Sequence, residues 1–355
     1  MQLSASGHPV HTRSLTIGTR VQGDGRWHCR ADVIDLRKCG FVPMMTDLQP
    51  AGVIHHMTIE AMVDPSTRRL ESLETAQPFV AIEPSEATAG ECCRDPAPRL
   101  QTLVGQTLDA EFPKQLSAAF GGPRGCSHLL TLFQLVASML PRALDLEAEL
   151  QARQPAPRAP GEQLFRRAAF LDGWETPDGA LAVGVQMADF QTHPAAVVAS
   201  PFERLAGQWD VRARARVERP SLALGELAAA ERERSSADLD RAVWRDRSDR
   251  VAPLAGTPIL PGLAGRLFRL LPDPGERLLL DALLQLAPGY IQVTAAVMDR
   301  WLEGRSPSAG ARSPGALREV SSLGGLPDSC YMWRADGPLH RKRAGAAERD
   351  GNAQD

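Results

Sequence analysis

Apolar and polar residues alternate over the first part of the chain. Leu15, Ile17, Thr19 and Val21 share one face of a strand, and Gly23-Asp24-Gly25 then supplies hairpin-turn chemistry. The returning strand places Trp27, Cys29, Ala31 and Val33 on one face and Arg26, His28, Arg30 and Asp32 on the other. Beyond an irregular loop, Met57, Ile59, Ala61 and Val63 alternate up to the turn Asp64-Pro65-Ser66, and Leu70 to Ile82 adds a further strand. The period then changes. Loop and helix follow Pro84, a short helix is predicted over Glu111–Phe120, and Leu129, Leu132, Phe133, Val136 and Leu140 recur at helical spacing. Leu130, Leu135 and Met139 widen that stripe, which predicts a helix buried on most sides. Strands first and helices afterwards predict an α+β fold with an antiparallel sheet.

The pattern then recurs. Gln154-Pro155-Ala156-Pro157-Arg158-Ala159-Pro160 reads as a Pro-rich linker. After it, Arg13, Asp24, Gly25 and Asp35 reappear 154 positions on as Arg167, Asp178, Gly179 and Asp189. The apolar set 27, 29, 31, 33 becomes Leu181, Val183, Val185 and Met187, and the set 57–63 becomes Val211, Ala213, Ala215 and Val217. Residues 1–153 and 161–304 are therefore expected to be two repeated domains, each a sheet followed by helices, packed as a pseudo-dimer. The second copy is degenerate: His11 falls opposite Phe165, His55 opposite Trp209, Cys93 opposite Trp244, Cys126 opposite Glu276 and His128 opposite Leu278. Joint loss of Cys and His is either drift in a diverged copy or the mark of an abandoned site, and on the second reading the first repeat is the candidate active half. Residues 305–355 read as a largely disordered tail, with an apolar segment at 326–339 that should dock, most economically in the groove between the repeats.

Composition narrows the classes. At 355 residues with 43% hydrophobic content the chain can build real cores, and a net charge of −3 gives no general reason to bind nucleic acid or an anionic membrane. Nearly all basic residues are Arg, as expected of a GC-rich bacterial genome. The first ten residues lack a signal-peptide pattern, and the apolar runs Leu278–Ala287 and Leu129–Leu140 look too short to span a bilayer. Six Cys without framework spacing favour free thiols in a reduced cytoplasm.

The chemistry-bearing residues are dispersed: His11, His55, His56, Cys93, Cys126 and His128. Gly125-Cys126-Ser127-His128-Leu129 opens the apolar helix, where free N–H groups and the dipole favour a thiolate or an anion. Three readings are open. Cys93, Cys126, His128 and His55 could hold a divalent metal such as zinc. Cys126 could be a nucleophile assisted by His128 and His55. Both Cys could instead be buried core residues. Asp24 and Asp35 persist in the degenerate copy and read as turn and cap residues, with Arg13 a partner for one of them. The row Arg212, Arg214, Arg216 reads as a solvated strand face.

His11-x-Arg13, Asp24-Gly25, Asp35, His55-x-Met57, Cys93 and Gly125-Cys126-Ser127-His128-Leu129 together resemble the bacterial "domain of unknown function" family numbered 2889, over roughly residues 8–145. The tail Cys330-Tyr331-Met332-Trp333-Arg334 looks like a feature of longer members. The resemblance supports the site and implies no substrate. The expectation is a cytoplasmic enzyme of bacterial small-molecule catabolism with a Cys/His-centred site. The alternative is a non-catalytic ligand-binding or accessory protein using the cleft between repeats. Either would take a small-molecule ligand and stand as a monomeric pseudo-dimer or a homo-oligomer.

Overall fold

A computed structural model describes residues 7–44, 47–218, 221–299 and 327–341. Four antiparallel strands, β1 (His8–Val21), β2 (Trp27–Met44), β3 (Asp47–Asp64) and β4 (Arg69–Phe79), are followed by helices α1 (Phe112–Phe120) and α2 (Ser127–Arg153). Strands β5 (Gln163–Glu175), β6 (Leu181–Thr192), β7 (Leu205–Glu218) and β8 (Ala223–Arg234) come next, with a short edge strand β9 (Arg245–Asp246). Helices α3 (Ser248–Val251), α4 (Leu263–Leu270), α5 (Arg277–Leu284) and α6 (Leu286–Ala296) close the described body.

All nine strands form one antiparallel sheet in the order β4-β3-β2-β1-β5-β6-β7-β8-β9. The first strands of the two halves pair at its centre. There Arg13 faces Leu171, Leu15 faces Ala169 and Ile17 faces Arg167, a register symmetric about the pair 15/169. One face of the sheet is covered by helices. Val10, Leu15, Ile17, Cys29, Ala31, Val33, Met57 and Ile59 from one half join Leu171, Val183, Val185, Met187, Ala213 and Ala215 from the other in a single buried cluster. The period of two explains the rest: residues of the opposite parity, such as Ile34, Leu36 and Phe170, remain partly exposed on the uncovered face.

Several expectations change. The two expected domains share one sheet and one core, which run through both halves. The 154–160 segment is pinned rather than free: Arg158 donates to Glu147, Glu162 and the Thr192 carbonyl. The expected irregular loop after Val33 is instead paired strand, since β2 and β3 continue with a register shift at Arg37/Phe41. By length and composition Ser127–Arg153 and Pro274–Ala296 could each cross a membrane, contrary to the sequence reading, but 56% and 67% of their apolar windows are buried inside the protein.

The C-terminal segment docks, though not between the halves. Met332 and Leu339 are buried against Ile82 on the first half, the Tyr331 N–H donates to the Gly125 carbonyl, and Arg334 pairs with Glu91 at 2.6 Å. Of the tail 305–355 expected to be largely disordered, residues 305–326 and 342–355 lie outside the described residues.

Candidate functional site

Strand register assembles the site. Arg13 on β1 is the direct neighbour of Asp35 on β2, which is the direct neighbour of His55 on β3. Adjacent strands lie about 4.8 Å apart, so a cross-strand row of three puts its side chains in contact on the helix-covered face. Arg13 donates to Asp35 through both arms of its fork, Nε to Oδ1 at 2.8 Å and Nη2 to Oδ2 at 2.9 Å. His11, two residues before Arg13 and so on the same face, brings Nε2 to 3.0 Å from Asp35 Oδ1. His55 Nδ1 is 3.2 Å from Asp35 Oδ2.

Helix α2 supplies the fourth wall. Its cap, Cys126, is extended (φ −84°, ψ 123°) and the helix begins at Ser127, inside the five-residue stretch 125–129 that the sequence reads as its opening. That start brings the His128 ring onto the His55 ring, centroids 3.7 Å apart, with Nε2 at 3.4 Å from Asp35 Oδ2. Gln292 of α6 meets the same nitrogen at 3.3 Å. Among the described residues, Asp35, His55 and His128 are the grouping whose ligand atoms all lie within 4.8 Å of one another.

Electrostatics follow from burial. Burial alone would raise the Asp35 carboxyl, but the Arg13 charge and the hydrogen bonds from His11, His55 and Arg13 outweigh it and hold it well below its ordinary value. Burial drives His128 well below the usual imidazole range, helped by the nearby cationic groups, and it also lowers His11, which Asp35 only partly restores. Both imidazoles are thus neutral at pH 7, the form that can accept a proton or bind a metal.

Residues 11–141 match a family described as protein of unknown function (DUF2889). No curated protein and no solved structure matches the chain. The DUF2889 stretch contains His11, Arg13, Asp35, His55, Cys93, Cys126 and His128. Gln292, which reaches the site from α6, lies beyond it.

The structure divides the residues singled out in the sequence. His11, His55 and His128 converge, while Cys126 and Cys93 do not join them. Cys126 turns its sulfur to Met57 Sδ at 3.7 Å, and burial pushes its thiol up to about 11. Cys93 packs beside the docked tail, and burial raises its thiol well above the ordinary range. The Cys126 thiol, held protonated by its buried surroundings, runs against the expectation of a thiolate at the helix start: desolvation outweighs the helix N-terminus. His56 sits on the other face, 3.9 Å from Asp32. Asp35, read as a turn or cap residue, is the hub. The signal for it was the Arg/Asp pair 22 positions apart in both halves. Asp24 does serve its turn, accepting from the Arg26 N–H at 3.1 Å.

The second half carries the same row with different chemistry. Arg167, Asp189 and Trp209 are direct neighbours across β5, β6 and β7, and Arg167 holds Asp189 through Nε at 2.7 Å and Nη2 at 2.8 Å. Arg142, reaching over from α2, lies 3.9 Å from Asp189 Oδ2 and 4.7 Å from the Trp209 ring centre. Reciprocally, α6 of the second half covers the first half's site. A cavity of about 190 Å³ opens there between Arg13, His128 and Thr131 on one side and Leu260, Ile291 and Gln292 on the other.

Proposed function

We propose that the chain is an enzyme acting on a small molecule, with Asp35, His55 and His128 holding one divalent cation such as zinc at the edge of the cavity between the halves. The observation that carries this reading is the convergence on Asp35 Oδ2. A carboxylate offers about four lone pairs. Arg13 takes one on each oxygen and His11 one on Oδ1, which leaves one on Oδ2 faced by two imidazole nitrogens. A cation at that junction uses all three donors.

The second half supports it, because a side-chain cation, Arg142, stands beside the equivalent Asp189 oxygen. Two imidazoles and one carboxylate leave coordination positions open for a ligand, and a cation so held polarises a bound oxygen. Arg13 and His11 fix the carboxylate, as second-sphere partners do in metal sites. We further infer that the halves descend from one duplicated unit, which accounts for the symmetric β1–β5 register and the repeated Arg/Asp pair. A cytoplasmic setting, consistent with six free cysteines, belongs to the same reading.

Metal content of full-length protein purified without an affinity tag tests the proposal. His55→Ala and His128→Ala are each expected to lose the metal with the melting temperature within a few degrees of wild type, while Cys126→Ser and Cys93→Ser keep it. Equal metal in His128→Ala and wild type sinks the reading. The cavity itself favours a second one, a binding protein without turnover, which is the outcome if ligand binds and no metal does.

A further inference from the structure

We propose that the cavity beside Arg13 takes a small carboxylic acid, its carboxylate seated on the open arm of the Arg13 guanidinium. This rests on the cavity being the ligand site and does not require the cation.

The comparison of two buried arginines carries it. Arg13 and Arg167 are both 1% exposed, and each spends Nε and Nη2 on its own aspartate. The third arm differs. Arg167 Nη1 donates to Asp281 Oδ2 at 2.7 Å, whereas no described residue accepts from Arg13 Nη1. Among the described residues Arg13 Nη1 is not one of the wholly buried unpartnered side-chain atoms, so it keeps access to the cavity that Arg13 lines, and the first half offers an open donor where the second half holds a carboxylate.

The helices show where it belongs. Helix α5 begins at Arg277 and α2 at Ser127, so Asp281 and Thr131 are each the fifth residue of the helix above their arginine. Thr131 is shorter and uncharged, and its hydroxyl donates to the Ser127 carbonyl at 2.8 Å. Where Asp281 fills the space in the second half, the cavity opens beside Thr131 in the first. The second half is thus a built-in image of the first with its ligand in place.

Shape and charge define the occupant. A carboxylate is the group already seen on Arg167. The first turn of α2 borders the same cavity and adds the positive end of a long helix. Leu260, Pro288 and Ile291 face it from the other side, so the body of the ligand is apolar. A cavity of about 150 Å³ holds a benzene ring, and this one, at about 190 Å³, suits an acid no larger than benzoate.

Calorimetric titration of the chelator-treated full chain with acetate, benzoate, benzamide and inorganic phosphate tests the idea. Saturable binding of benzoate or acetate, with none for benzamide, is expected. Thr131→Asp should abolish that binding and melt about 2 °C above Thr131→Asn, which fills the same volume without the charge. Benzamide binding as well as benzoate, phosphate binding in place of both acids, or unchanged carboxylate affinity in Thr131→Asp overturns the proposal. Because the acids are titrated without metal and the metal is assayed without acids, failure of one reading is separate from failure of the other.

Discussion

Arg13 and Arg167 occupy equivalent rows of the sheet, yet their aspartates do not bear the same burden. Asp35 is the only carboxylate on Arg13 among the described residues, while Arg167 has Asp189 and Asp281. Removing one partner of a buried pair leaves an uncompensated charge and costs about 3–5 kcal/mol. Asp35→Asn is therefore expected to lose that full amount in a denaturant titration, and Asp189→Asn clearly less because Asp281 remains. Equal losses would show that the second carboxylate does not support Arg167. Substitution at Asp281 should also leave Ser138 and Arg277 without their shared partner.

At the scale of elements, the docked C-terminal segment has a measurable role. Met332 and Leu339 are almost wholly buried against Ile82, and burial of such side chains stabilises by about 2 kcal/mol each. Deleting residues 327–355 is expected to lower the melting temperature and to expose Cys93, which a thiol reagent would then modify faster than in the full chain. An unchanged labelling rate would mean that the segment does not cover that cysteine. Much of this level was legible in the sequence. The period of two marks β1 and the outer parts of β2 and β3, and the stretch 125–129 marks the opening of α2. The pairing of residues 34–56 was not legible, because Gly40, Pro43 and Pro50 interrupt the alternation while the strands pair through a bulge. Nor could spacing show that Asp35 gathers three imidazoles from β1, β3 and α2. That contact depends on cross-strand register and on where a helix lands, neither of which a local pattern encodes.

At the scale of the whole molecule, one sheet and one core run through both halves, which predicts a single cooperative unit. Each half also lends a helix to the other: α2 brings Ser138 and Arg142 to the second row, and α6 brings Gln292 to the first. Calorimetric unfolding is expected to show one transition whose van't Hoff and calorimetric enthalpies agree, and two resolved transitions would count against a continuous core. Two identical chains bearing only the DUF2889 stretch could join their first strands about a two-fold axis through the residue equivalent to Leu15, since the 15/169 pairing already satisfies that symmetry. Such a chain would be expected to assemble as a dimer with two intact centres. On the duplication proposed above, the present chain would be a fused form of such a dimer, with the second centre's shell kept as the roof of the first.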